Sequence, residues 1–345
     1  MMNQSEKNKT KLDQLKTILE NHTSMLIVLQ DNPDPDAIAS AVALRRLANV
    51  LANVQCSIAH GGTVGRGENR ALVKYLNLNL RPMDQLDVSQ FELFAMLDTQ
   101  PGTGNNSLPE DIEPDIVIDH HTCRQSTRRC RFSDIRSKYG ATATILYEYL
   151  EAAGIGPDVP IATAMLYAIR SDTQDLGRDT TKADTQAFTQ LYPIANKRML
   201  SQIQHGKVRR DYYTMLANAM NNAQVYANAI VTNLGPIENP DMVAEVADLL
   251  LRDDQTDWVM VYGLSRNKLL ISLRTYQESA RADKVIRRLV ARRGTGGGHP
   301  SYAGGQIPLD RYSQRTIEKL KKTIISRFVK EVTGTSPQPQ SLTAS

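Results

Sequence analysis

The stretch MLIVLQ (residues 25–30), followed by DNPDPD (31–36) and AIASAVALRRL (37–47), decides how the chain is read. Its first part is an apolar run of strand length. In the last part Ile38, Val42, Leu44 and Leu47 recur largely on one side of a helix. Between them stand Asp31, Asp34 and Asp36, with Pro33 and Pro35 interleaved. Each proline fixes its own φ and biases the residue before it towards extended geometry. That predicts an extended turn with Asp34 and Asp36 aimed to one side. Acidic groups at the carboxyl end of a strand, just before a helix, stand where open α/β sheets bind ligands. Helix capping would account for one such aspartate. Three in one turn point to metal or anion chemistry.

At 345 residues, 41% of them hydrophobic and 23% charged, two ordinary domains with real cores are expected. No apolar run reaches the roughly 20 residues needed to span a bilayer. The N-terminus, MMNQSEKNKTKLDQLKTILE, is charged and amphipathic, unlike a secretory signal. No membrane partner is expected. Cys56, Cys123 and Cys130 have no metal-type spacing, and an odd number argues against a disulfide framework. A reducing, cytoplasmic setting follows. A net charge of only +4 does not make a general nucleic-acid binder. Basic residues do cluster, at Arg124, Arg128, Arg129, Arg131, Arg136 and Lys138, and again at Arg281, Lys284, Arg287, Arg288, Arg292 and Arg293. Each cluster is either a solvated face or a local anion-attracting wall.

Taken in order, residues 1–22 read as an amphipathic helix. After the opening strand, further strands are expected over 54–59, 91–97 and 115–118. The second strand ends at His60-Gly61-Gly62, the third at Asp98, and the fourth at Asp119-His120-His121. Helices are expected over 68–76, 141–153, 159–169 and 182–192, the third running into Ser171-Asp172-Thr173. Alternating strands and helices predict an α/β fold over 23–192, a mostly parallel sheet with helices on both faces. Residues 193–224 read as a helical connector. From 225 to 333, YANAIVTNL, WVMVYGL and KLLISLRTY alternate like strands, with helices near 240–251, 282–292 and 315–332. RRGTGGGHPSYAGGQ (292–306) reads as a glycine-rich loop. This second unit is expected to be a smaller α+β domain, with the active site in the cleft between the two. The tail, 334–345, reads as disordered.

Asp98 or Asp172 alone would be an unremarkable cap. Together, Asp34, Asp36, Asp98, His120 and Asp172 would meet at one edge of one sheet. Four carboxylates cannot share a small volume unless cations neutralise them. Carboxylates with one imidazole suit Mn²⁺ or Mg²⁺ better than a thiolate-seeking metal. Two ions bridged by a carboxylate use the set economically. In the second unit, Gly296-Gly297-Gly298 would let backbone amides approach an anion. Tyr302 could stack a base or merely pack its loop.

The order DNPDPDAIAS, LDTQ, DHH, SDTQ and GGGHPSYAGG resembles the DHH phosphoesterase superfamily, and the last motif is similar to its DHH-associated C-terminal domain. The nearest likeness is to the nano-RNase (oligoribonuclease) and 3′-phosphoadenosine-5′-phosphate phosphatase branch. That resemblance implies two divalent ions, Mn²⁺ or Mg²⁺, and hydrolysis by a metal-activated water. One ion would take Asp34 and Asp98, and the other Asp36, Asp98, His120 and Asp172. Asp119 would orient His120. His121 would face the leaving oxygen. Arg274, the three glycines and His299 would hold substrate phosphate or nucleotide. Implied substrates are short single-stranded oligonucleotides or 3′,5′-bisphosphonucleosides, and a homodimer is entertained. Rival activities are inorganic pyrophosphatase, exopolyphosphatase and cyclic-dinucleotide phosphodiesterase. The sequence departs at Gln30, where relatives usually place a metal-binding histidine. Weaker binding at that ion follows, or a shift towards Mg²⁺, or a one-metal or silent site serving as a nucleotide sensor. His60 is a remote candidate for the missing imidazole. Gln174 and Leu176 stand where relatives tend to have glycine and phenylalanine.

Overall fold

A computed structural model describes residues 4–277 and 279–343. The chain divides into two compact units at Lys207/Val208. In the first, α1 (Gln4–Leu19) precedes β1 (Ser24–Val28), α2 (Pro35–Ala52), β2 (Gln55–His60), α3 (Gly67–Tyr75), β3 (Leu80–Pro82), β4 (Leu93–Leu97), β5 (Ile116–Asp119) and β6 (Phe132–Ile135). Four helices follow: α4 (Thr142–Ala152), α5 (Val159–Asp172), α6 (Lys182–Ile194) and α7 (Lys197–Gln204). The strands form one parallel sheet in the order β3-β2-β1-β4-β5-β6. Strand order therefore reverses between β1 and β4, and such a switch point opens a crevice at the carboxyl ends of the two strands.

β1 is a continuous apolar run because both its faces are buried. Met25 and Ile27 point into a core shared with all seven helices. Leu26 and Val28 point the other way, into a smaller core closed by Met83, Leu86, Val88, Leu108 and Cys130. Those residues lie on short 3₁₀ turns and loops. Helices on both faces were expected; here the helices of this unit share one face. The physical reason is the strand reversal. Right-handed crossovers put the connections of the reversed half on the opposite face, and the β4–β5 and β5–β6 connections are loops carrying only the 3₁₀ turn Ser126–Arg129.

The second unit continues with α8 (Arg210–Asn221), β7 (Gln224–Tyr226), β8 (Ala229–Pro236), α9 (Met242–Leu250), β9 (Trp258–Ser265), β10 (Lys268–Thr275) and α10 (Ala282–Val290). It ends with β11 (Thr295–Gly298), β12 (Tyr302–Pro308), α11 (Gln314–Thr333) and β13 (Gln340–Ser341). The sheet runs β11-β12-β10-β9-β8-β7-β13, antiparallel except for β8 and β9. α10 and α11 cover one face, and α8 and α9 the other. Expected connector residues divide between the units: Leu200 and Ile203 of α7 join the first core, and Ala219 of α8 joins the second. The tail differs from expectation over 340–342. Gln340 and Ser341 pair with β7, and Leu342 packs beside Ala223 and donates its N–H to that carbonyl. An open sheet edge offers unsatisfied backbone groups that even a polar segment can pair. Residues 1–3 of the expected first helix and 344–345 of the tail lie outside the described residues.

Candidate metal centre

The three strand ends flanking the switch point carry the acidic residues. Beyond β1, Asp34 takes extended backbone (φ −91°, ψ 179°) and caps α2, its Oδ1 accepting from the Ala37 N–H at 2.9 Å. Pro35 fills the first helical turn, where a missing N–H does no harm. One residue on, Asp36 is wholly buried. Its two carboxylate oxygens accept from the backbone N–H groups of Thr142 and Ala143 at 2.6 and 2.8 Å. The first turn of α4 has no internal acceptors for these donors, so Asp36 ties α4 to α2. Asp31 instead fixes the loop after β4, accepting from Ser107 Oγ at 2.8 Å.

Asp98, one residue past β4, is 1% exposed and held in left-handed backbone at φ 57°. A non-glycine residue there is strained by an amount on the order of 1 kcal/mol, a pattern that clusters at functional sites. Thr142 Oγ1 donates to its Oδ1 at 3.1 Å. At the end of β5, the His120 ring lies 3.5 Å from Asp98 and 3.6 Å from Asp172, the last residue of α5. Candidate ligand atoms of Asp36, His120 and Asp172 lie within 4.8 Å of one another, as do those of Asp98, His120 and His121. Gln30 Nε2 joins Asp34 Oδ2 (2.7 Å) to Asp98 Oδ2 (3.3 Å).

The electrostatics of this cluster suit a cation. Burial, then the Asp34 charge, pushes Asp36 up to about 7. Burial, then Asp34 and Asp36, holds Asp98 well above the usual carboxylate range; burial, then Asp36 and Asp34, does the same to Asp172. Burial, then His121, brings His120 down to about 4. His120 is therefore a neutral imidazole. Its Nδ1 lies 3.0 Å from the Tyr139 carbonyl, which can only accept. The proton then sits on Nδ1, and the lone pair of Nε2 faces the carboxylates of Asp98 and Asp172. That is the tautomer a divalent ion needs. Asp34, Asp36, Asp98, His120 and Asp172 fit Mn²⁺ or Mg²⁺ by donor type.

Several expected roles change. Asp119 does not orient His120. Its Oδ1 lies 2.8 Å from His121 Nδ1 and accepts the His121 backbone N–H at 2.9 Å, while Oδ2 accepts from Gln100 at 2.7 Å. The carbonyl of Tyr139 orients His120 instead. Burial opposes charge on His121, but Asp119, Asp34 and Asp36 outweigh it and raise its pKa. His60 is buried with Nδ1 2.6 Å from the Gly61 carbonyl. Gln174 and Leu176 both take left-handed backbone (φ 48° and 67°), a geometry that suits glycine. Thr142, Tyr139, Gln100 and Asn105 were not anticipated. Only Gln100 carried a sequence signal, through the motif LDTQ.

In the second unit the expected glycine loop is a pair of strands. Gly296 pairs with Gly305 and Gly297 with Gly304. A Cβ at Gly296 or Gly305 would press on Ile286 and Val290 of α10, whereas one at Gly297 would meet open space. One side of this ribbon is thus bare because a helix lies on it, and the other is bare and open. The Tyr302 and His299 rings stack at 4.6 Å and 16°. The Arg274 guanidinium lies 5.7 Å from the Tyr302 centroid and is held by Asp248 and by Ser272 Oγ at 2.8 Å.

Residues 24–169 match the DHH family, N-terminal domain, and residues 226–330 match the DHHA1 domain. An uncharacterized protein of Methanocaldococcus jannaschii is 33% identical over 325 residues, 92% of this chain; the chain spans 66% of that relative. A probable manganese-dependent inorganic pyrophosphatase of Staphylococcus saprophyticus is 24% identical over 216 residues, covering 61% of this chain and 69% of that protein. The crystal structure of an exopolyphosphatase-related protein of Bacteroides fragilis superposes with a TM-score of 0.72 at 14% identity, over 94% of this chain and 98% of that one. The last likeness is one of fold. Among the described residues, no helix is long and apolar enough to cross a membrane.

Proposed function

The chain belongs to the DHH phosphoesterase superfamily and carries a C-terminal DHH-associated domain, and from that premise we propose that it hydrolyses short oligonucleotides or 3′,5′-bisphosphonucleosides. Divalent ions at the carboxylate cluster would supply an acidified water and neutralise charge growing at phosphorus. Asp34, Asp36, Asp98, His120 and Asp172 hold them. His121, drawn towards its protonated form by Asp119, gives a proton to the leaving alkoxide. Arg274 pairs with a substrate phosphate. The Gly297–Gly304 face and His299 receive the nucleotide.

One observation favours a nucleotide over a bare pyrophosphate: the Tyr302–His299 stack beside the Arg274 guanidinium. Aromatic and guanidinium faces stabilise a base by stacking, and pyrophosphate has nothing to stack. The staphylococcal relative favours a second reading, pyrophosphate hydrolysis. The test is turnover of 5′-phosphorylated dinucleotides, a five-mer, 3′,5′-adenosine bisphosphate, a cyclic dinucleotide and pyrophosphate, each with Mn²⁺ and with Mg²⁺. The expected result is cleavage of the dinucleotides or the bisphosphate, abolished in Asp98→Ala and carrying a raised KM in Tyr302→Ala. Strong pyrophosphate turnover without nucleotide cleavage would establish the second reading. Nucleotide binding with no turnover of any substrate would make the protein a sensor.

A further inference from the structure

The charge of this chain is unevenly placed. Residues 281–331 hold thirteen basic and four acidic side chains, a net +9, so the rest of the chain is net −5 against +4 overall. This segment supplies α10 and α11, which cover one face of the second sheet and are joined by the ion pair of Arg288 with Glu331. Their apolar sides are buried, through Ile286 and Leu289 of α10 and Leu320, Ile324 and Phe328 of α11. What the two helices present outward is mostly cationic.

On α11, Arg315, Lys319, Lys322 and Lys330 are exposed and recur at intervals of four, three and eight residues. That spacing keeps them on one side of the helix, opposite the buried one. At 1.5 Å per residue the stripe is about 22 Å long. Lys284 and Arg287 of α10 are exposed too. None of these six cations meets an acidic partner among the described residues. The acids of the segment are engaged elsewhere. Glu318 accepts from Lys321, Asp283 from Arg281 and Asp310 from Asn267, each at 2.8 Å, and Glu331 accepts from Arg288 at 2.7 Å.

The stripe works against its own helix. Like charges three or four residues apart, here Arg315–Lys319 and Lys319–Lys322, destabilise a helix, whereas interleaved acids would stabilise it. Arg315 stands in the first turn of α11, where the macrodipole favours acids and none is present. The fold gains nothing from this arrangement, so it points to a polyanion outside the fold. Among the described residues, no large hydrophobic side chain is exposed on α10 or α11. A helix lying on a membrane sinks an apolar face into lipid, and here that face is buried in the protein. A single-strand binder stacks bases on aromatic rings, and the stripe has none. A row of cations without rings suits phosphates alone, which is how a duplex backbone is held.

We propose that the outer face of α10 and α11 docks the phosphate backbone of duplex nucleic acid without reading its sequence. The surface belongs wholly to the second unit and does not depend on the hydrolytic reading above. It would hold the protein on a folded RNA or a DNA duplex, whichever short substrate the metal centre cleaves.

The test uses the full chain in chelator, which stops metal-dependent cleavage. Its probes are a fluorescently labelled RNA duplex of about 20 base pairs, the matching DNA duplex and the single strand, read by anisotropy from about 50 to about 200 mM KCl. Neutralising four or five phosphates predicts a log–log salt slope of about −4, a loss of about 250-fold over that range. Whichever duplex binds more tightly names the partner. Lys319→Glu with Lys322→Glu should weaken duplex binding at least about tenfold and flatten the slope, with the melting temperature unchanged. Lys319→Gln with Lys322→Gln should fall between that pair and wild type. Lys9→Glu with Lys182→Glu changes net charge equally, on exposed residues of the first unit, and should alter binding less than about twofold. Equal losses in the two glutamate pairs would overturn the proposal. So would a single strand bound more tightly than either duplex, or binding to phosphatidylglycerol vesicles but not to duplex. No duplex binding at the lowest salt would overturn it outright and leave the proposed hydrolysis of short substrates standing.

Discussion

Chelator-stripped protein should lose stability as pH rises from about 6.5 to about 8, and a divalent ion should cancel the loss. Asp36 titrates near 7 in the folded chain because of burial and then Asp34, against about 4 when unfolded. Its folded pKa is raised, so the native state keeps a proton that the unfolded chain has released. Stability then falls as pH climbs through the folded pKa. Over this window Asp36 alone accounts for about 1 kcal/mol. Burial and their acidic neighbours also hold Asp98 and Asp172 well above the usual carboxylate range, which acts in the same direction. His121, raised chiefly by Asp119 against the effect of burial, has the same sign. Burial and then His121 bring His120 down to about 4, so it is neutral in the folded chain while the unfolded imidazole still sheds about half a proton above pH ~6.5; it opposes the trend by only roughly a few tenths of a kcal/mol. Urea unfolding followed by circular dichroism, with chelator or with Mn²⁺, measures the slope. An ion at about 100 times its Kd should restore about 2.7 kcal/mol. Asp34→Asn still caps α2 but removes the second cause acting on Asp36, so its slope should be shallower and its metal-free form more stable near pH 8. Stability that is flat or rising with pH in chelator would refute this account of the cluster.

Other sites give independent checks. Arg136 donates to Asp134 at 2.7 and 2.9 Å, to Asn8 at 2.9 Å and to Glu148, all of them buried or nearly so; Arg136→Met should destabilise by about 3–5 kcal/mol in chemical denaturation, and a change under about 1 kcal/mol would contradict the network. A Cβ at Gly305 would lie 2.8 Å from Ile286 Cγ1, so Gly305→Ala should destabilise by about 1–3 kcal/mol. Gly297→Ala, in open space, should leave stability nearly unchanged and weaken nucleotide binding, as isothermal titration would show. Burial pushes Cys56 up to about 12 and, with Glu113 and Asp115, Cys130 up to about 11. Native protein should therefore show one fast thiol towards Ellman's reagent near pH 8, the exposed Cys123, and Cys123→Ser should abolish it.

The sheet was legible where both faces of a strand are buried. Met25–Val28 and Leu93–Leu97 read as strands because burial on two sides leaves an unbroken apolar run. β3 and β6 were missed for opposite reasons. Leu80-Arg81-Pro82 is a three-residue edge strand whose proline argues against a ladder. Phe132–Ile135 buries Asp134, which only the contacts of Arg136 and Tyr149 make acceptable. Placing every helix of the first unit on one face was out of reach of periodicity. An apolar stripe shows that a helix is covered, not which side of the sheet covers it.

The same division runs through the site. Five strand-end and helix-end acids and imidazoles could be gathered on one edge, because parallel strands send all their carboxyl ends to one side. The partners that orient them could not. Asp119 is next to His120 in sequence, so it looked like the group that holds that ring. Successive side chains of a strand point to opposite faces, and Asp119 closes β5. Its carboxylate therefore reaches forward two residues to His121, while the ring of His120 meets a carbonyl 19 residues on, at Tyr139. Gln30 follows the same logic. Its identity marked a departure from the family, but its contacts with Asp34, Asp98 and, 75 residues away, Asn105 emerge only in the fold. Sequence names the atoms that can hold a cation. Which partners fix those atoms in place is set by contacts across the switch point, and no local pattern records them.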